Sequence, residues 1–238
     1  TTTLAEQGLT TTAAFAFSLG LARLASARPS PVFAAGAIVA RVIALLNAVV
    51  ALGVVANPFL TGEPVAGGIV FNEILLAYAL PAALAALSAI AARRRVGRSD
   101  IRIMLDRATA MVALLLAFGA ITLEIRFLFG GPVLDLTPIE AAESWTYSVA
   151  WLALGIALLL AGLVFNLTAA RVASALLILV TVLKVFLIDM ANLEGVWRAL
   201  SFIALGAVLI GIGLLYQRLL FARRGAEPPA AEEPAAGE

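Results

Sequence analysis

Six ionisable residues interrupt an otherwise apolar chain at places where charge is costly: Glu124, Arg126, Lys184, Asp189, Glu194 and Arg198. The densest run is TVLKVFLIDMANLEGVWRALSF, residues 181–202, where a lysine sits inside a hydrophobic stretch and an aspartate, a glutamate and an arginine follow. Three acids and three bases are the ingredients of two different devices. Mutually satisfied, they make a structural clasp. With one group left over, they make a ligand or proton site, and an ionisable residue inside a membrane is a functional candidate by default. Asp189 is the group expected to be left over. It falls last on its helix, where the macrodipole disfavours a negative charge, beside the turn 190–195. Lys184 either snorkels outward along its four-carbon stem or pairs with an acid at its own depth, and Glu124 is the expected partner. Arg41 is a further oddity. It falls near the middle of an apolar segment, where an arginine costs about 2.5–3.5 kcal/mol on insertion scales. It should therefore face other helices; Asn47 and backbone carbonyls are its expected partners, because no carboxylate stands clearly at its depth.

Other chemistry is excluded by composition. The chain has no cysteine and no histidine, which removes disulfides, thiolate nucleophiles, the commonest metal ligand and the commonest general base. No phosphate-binding glycine loop, serine elbow or metal spacing is present. Glu140 and Glu143 lie three apart, a spacing that suits a helix cap or a solvated face. No enzymatic activity and no cofactor are expected. A net charge of +1 gives no electrostatic footprint for nucleic acid.

The elements that must position these charges are helices in a bilayer. Of the 238 residues 63% are hydrophobic and 13% charged, where a soluble domain is about half apolar and about a quarter charged. Apolar stretches long enough to span recur along the chain. The expectation is an all-α polytopic bundle, residues 1–221, with seven spans at about 8–24, 31–55, 69–92, 104–128, 145–165, 169–189 and 196–221. The tail 222–238, rich in Pro, Ala and Glu, is expected to be disordered. The first segment is short and Thr-rich, and reads as the end of a helix cut at a boundary. The chain does not start with Met and shows no signal peptide; a processed chain, or a piece of a longer one, is expected.

Basic residues set the threading. Arg23 and Arg28 fall in the first connection, six arginines between 93 and 107 in the third, Arg171 in the fifth, and Arg218, Arg223 and Arg224 at the C-terminal end, which makes 12 of the 16 Lys and Arg. Cytoplasmic connections hold the basic excess, so the N-terminus is expected outside and the C-terminus in the cytoplasm. Trp145, Tyr147 and Trp197 then fall at outer boundaries and Tyr216 near an inner one, as amphipathic rings prefer. The triplet Asn166-Leu167-Thr168 matches a glycosylation acceptor but falls on the inner side. The six charges gather at the outer ends of the fourth, sixth and seventh spans.

TLEIRFLFGG at 122–131, ESWTYSVAWLALGIALLLAG at 143–162, and above all TVLKVFLIDMANLEGVWRALSFIALGAVLIGIGLLYQRLLF at 181–221 resemble the C-terminal part of the bacterial predicted membrane proteins called domain of unknown function 2339. Members often carry a histidine near the LEIR segment; this chain has none. The resemblance implies a bacterial inner-membrane location and a longer parent protein, and it supplies no substrate. A non-enzymatic module of a larger envelope assembly is expected, with the lipid bilayer and other membrane subunits, or the rest of a longer chain, as partners. A transporter or channel module gated by the outer charges is the alternative, and a membrane-embedded transferase the third reading.

Overall fold

The computed structural model describes residues 3–28, 30–92, 100–135 and 138–189, together with eight helical residues between 202 and 214. The chain divides into two compact units, Thr1–Thr181 and Val182–Glu238. The described residues are helical apart from turns and one isolated bridge, as the composition requires: in hydrocarbon every backbone polar group must be satisfied within its own segment.

Helix α1 spans Leu4–Ala27. A capping box starts it: Thr3 Oγ1 accepts from the Glu6 amide and the Glu6 carboxylate accepts from the Thr3 amide, which satisfies donors that a helix start leaves orphaned. The 24 residues make about 36 Å of helix, long enough to cross a bilayer and longer than the expected segment 8–24. Helix α2, Pro31–Leu46, begins with proline at a position whose missing N–H is harmless, and continues as a π-helix over Asn47–Val55. The short α3, Pro58–Thr61, is capped by Asn57 and ended by left-handed Gly62. Helix α4 starts at Glu73 rather than at 69, winds as a π-helix over Leu75–Ala79, and runs on as an α-helix over Leu80–Ala92. Helix α5, Asp100–Gly130, has 31 residues, about 46 Å, more than a bilayer's hydrocarbon needs. Helix α6 spans Ala141–Val164. Helix α7, Thr168–Lys184, passes into a π-helix at Val185–Asp189.

Five of these helices are long and apolar enough to cross a membrane, and a sixth apolar stretch, Leu75–Ala91, is shorter. The seventh expected span falls mostly outside the described residues, as do the loop 93–99 and the tail 222–238.

In the first unit α1 packs against α2 and α4, α4 against α5, and α5 against α6. The interior is built mainly from small side chains. Ala22, Ala44, Ala48, Ala77 and Ala85 are buried, with Phe15, Leu52, Ile74 and Leu134 filling the larger spaces. Without a hydrophobic force between helices in lipid, close backbone approach is what holds them. Among the described glycines, the tightest approach is Gly8 of α1 on the Ala77 backbone, where no Cβ would fit. The outward surface carries large apolar side chains, among them Phe17, Val39, Val54, Met111 and Val149.

Candidate functional site

Helix α5 delivers Glu124 and Arg126 to one end of the bundle. Arg126 is 3% exposed, yet its guanidinium is well satisfied. Nη1 donates to both Glu143 oxygens at 3.1 and 2.9 Å, Nη2 to Asp135 Oδ1 at 2.9 Å, and Nε to the Asp135 carbonyl at 3.2 Å. Such charge-assisted hydrogen bonds are the strong class. Glu143 is 2% exposed and also accepts from the Tyr147 hydroxyl at 3.0 Å. It sits in the first turn of α6, where the macrodipole favours a carboxylate. Of the pair expected to form a helix cap or a solvated face, Glu140 stands exposed at the N-cap position of α6, whereas Glu143 is the buried counter-ion of Arg126. Gly131, at φ 81, turns the chain out of α5 so that Asp135 comes back over the arginine. Trp151 donates to Thr122 Oγ1 at 3.2 Å and packs in tilted contact with the Phe118 and Tyr147 rings.

Glu124 faces a different partner, as its two-residue offset from Arg126 requires. The Asn72 amide donates to its two oxygens at 2.9 and 3.0 Å, while Asn72 Oδ1 accepts from the Leu75 amide at 3.1 Å. Asn72 therefore caps the start of α4 and ties it to α5. The two loops at this end are also joined, by the Val65 amide donating to the Pro132 carbonyl at 2.8 Å.

In the second unit Lys184 Nζ pairs with Asp189 Oδ1 at 2.7 Å, and the Asp189 side chain is only 5% exposed. Five residues apart on an α-helix point to different sides, but the i→i+5 winding of a π-helix stacks them. This is how the segment 185–189 lets a lysine below a helix end reach the acid above it. The expectation that Asp189 is the exposed, left-over carboxylate is corrected, and its unfavourable place at the end of the helix is offset by the lysine. Glu194, Arg198, Trp197 and the turn 190–195 lie outside the described residues.

A second polar seam runs between α1 and α2. Asn47 Nδ2 donates to Thr11 Oγ1 at 2.7 Å and to the Gln7 carbonyl at 3.3 Å. Further along, Arg41 Nε donates to Ser18 Oγ at 3.3 Å, and Ser18 in turn donates to the Ala37 carbonyl. Arg41 Nη1 bonds Asp106 Oδ1 at 2.6 Å, with the two side chains 6% and 15% exposed. The expectation of no carboxylate at this depth is corrected. Helix α5 starts at Asp100 and not near 104, which carries Asp106 into the bundle opposite Arg41. The pair borders a half-open cleft of about 130 Å³ whose lining also includes Ala22, Ser26, Ala37 and Arg102. A third link joins two π-helices: the Tyr78 hydroxyl donates to the Leu52 carbonyl at 2.7 Å.

At the α6–α7 turn Asn166 takes a left-handed conformation, and its side chain bonds Arg171. The Asn-Leu-Thr triplet is thus part of a helix stop. Among the described residues no three His, Cys, Asp or Glu side chains converge to hold a metal ion.

Residues 1–219 match the family described as predicted membrane protein (DUF2339). No curated protein and no solved structure matches.

Proposed function

The chain belongs to the DUF2339 family of predicted membrane proteins, and on that premise we propose that it is a non-enzymatic helical module of a bacterial cytoplasmic membrane. It serves as a structural or interaction part of a larger envelope protein or assembly. Its N-terminus and the Arg126 end lie outside, and the connection 93–99 lies in the cytoplasm. The threading is supported by the basic bias, 12 of 16 Lys and Arg on alternate connections or the helix turns beside them.

One observation carries the reading. The charges at the Arg126 end are engaged by their own neighbours, Arg126 by Glu143 and Asp135, Glu124 by Asn72. A clasp consists of groups that satisfy one another; a gate must hold polar groups ready for a passing ion. A transport reading is favoured by a different feature, the Arg41–Asp106 pair beside its cleft, because paired ionisable groups in a bundle interior are typical of proton relays.

Proteoliposomes decide between the two. The purified chain, reconstituted with an internal pH dye and given a potassium diffusion potential, is expected to leave proton flux at the level of protein-free vesicles. A flux well above that level, abolished by Asp106→Asn, would replace the module reading with the transport one.

A further inference from the structure

Between α3 and α4 the chain makes a small hairpin whose tip is apolar. The Glu73 amide donates to the Ala66 carbonyl at 3.0 Å, the Ala66 amide to Glu73 Oε2 at 3.2 Å, and the Gly68 amide to the Phe71 carbonyl at 2.9 Å. Gly67, at φ 117, lies so close to Asn72 that a Cβ would stand 2.5 Å from its Cα. The base is fixed in the bundle, with Val65 4%, Asn72 4% and Ile74 1% exposed. The tip is the opposite: Ile69, Val70 and Phe71 are 70%, 64% and 81% exposed. Turns in water are dominated by Gly, Pro, Asn, Asp and Ser, so two β-branched residues and a phenylalanine on an anchored turn demand an apolar neighbour.

Depth identifies that neighbour. Helix residues 73–92 measure about 30 Å, the thickness of a bilayer's hydrocarbon. Phe71 stands two residues before that helix, at the level where acyl chains meet headgroups. The bond from Asn72 to Glu124 gives the same level from α5, about 9 Å short of that helix's end at Gly130. Along the helix that follows, Leu75, Leu76 and Leu80 are also exposed, at 37%, 39% and 40%. Residues 57–74 contain no Lys or Arg, so nothing there would recognise a lipid by attracting its phosphate.

We propose that the Ile69–Phe71 tip is seated in the headgroup–acyl boundary of the bilayer and sets how deep α4 sits and how it tilts, with lipid as its occupant. The proposal rests on the membrane location and on neither the threading nor the module reading. Exposed apolar patches on anchored segments mark such membrane contacts.

The absence of native cysteine makes the test clean. Single cysteines replace Phe71 and, separately, Ile69. A third replaces exposed Glu63 as a water reference. Each is labelled with an environment-sensitive fluorophore and reconstituted in phosphatidylcholine vesicles that carry spin labels at the headgroup or at shallow or deep acyl positions. Labels at 71 and 69 are expected to be quenched by the headgroup and shallow probes more than by the deep one. Aqueous iodide should quench them several-fold less than the label at 63. Iodide quenching equal to that at 63 would mean the tip faces water. Protection from both iodide and every lipid probe would mean that protein covers it. Either result overturns the proposal, and agreement between the two tip positions guards against one poorly folded variant.

Discussion

Arg126→Met removes the centre of the clasp. Glu143, 2% exposed, then loses its counter-ion and keeps the Tyr147 hydroxyl as the remaining partner among its described bonds. Breaking a buried pair from one side costs about 3–5 kcal/mol. Glu143→Leu alone leaves the arginine with Asp135, and is expected to cost somewhat less because one counter-ion remains. The double variant Arg126→Met with Glu143→Leu takes both buried charges away. Asp135 is 51% exposed and can turn to water with little loss, typically under about 1 kcal/mol. The residual cost comes from the Tyr147 hydroxyl, about 1–3 kcal/mol if left unsatisfied, and Tyr147→Phe should recover part of that in turn. The loss in the double variant should thus fall short of the sum of the two single losses by about 2 kcal/mol or more. The assay is equilibrium unfolding in mixed detergent micelles followed by tryptophan fluorescence. Arg23→Ala, at an exposed arginine, serves as a reference within about 0.5 kcal/mol of the parent. Single losses that simply add would refute a buried, mutually dependent pair.

Gly8→Ala should destabilise by about 1–3 kcal/mol in the same assay, because its methyl would collide with the Ala77 backbone. Gly20→Ala, with nothing near the added carbon, should be neutral or stabilising by up to about 1 kcal/mol; equal effects at the two sites would deny the close α1–α4 contact. Tyr78→Phe should lose about 1–3 kcal/mol by orphaning the Leu52 carbonyl, with slowed amide exchange across 47–55 turning fast, and unchanged exchange would show that the π-helix holds its own carbonyls.

The helical membrane fold was legible because apolar runs of spanning length leave few alternatives. What the sequence concealed was winding and offset. Counting residues on an ideal α-helix separates Lys184 from Asp189, whereas π winding brings them together. Asp106 fell within the expected span 104–128 but only two residues from its start, so it did not read as lying at the depth of Arg41; α5 beginning at Asp100 sets it deeper. Glu143 looked solvated because its counter-ion comes from another helix; its place in the first turn of α6, one turn before a tyrosine, was the available signal. Asn72 gave none, since its role depends on a hairpin that brings it beside Glu124.

The central claim is that the Arg126 end is an outward-facing, closed clasp over a packed bundle. Cysteine accessibility in intact cells tests it most directly, with a small membrane-impermeant thiol reagent applied to Ile139→Cys and Leu123→Cys. Ile139 is 57% exposed beside the clasp, and Leu123 is 4% exposed one turn below it. The account predicts rapid labelling at 139 and none at 123. Labelling at 123 at a rate comparable to 139 would show water passing the charges, and no labelling at 139 would reverse the threading; either would contradict it.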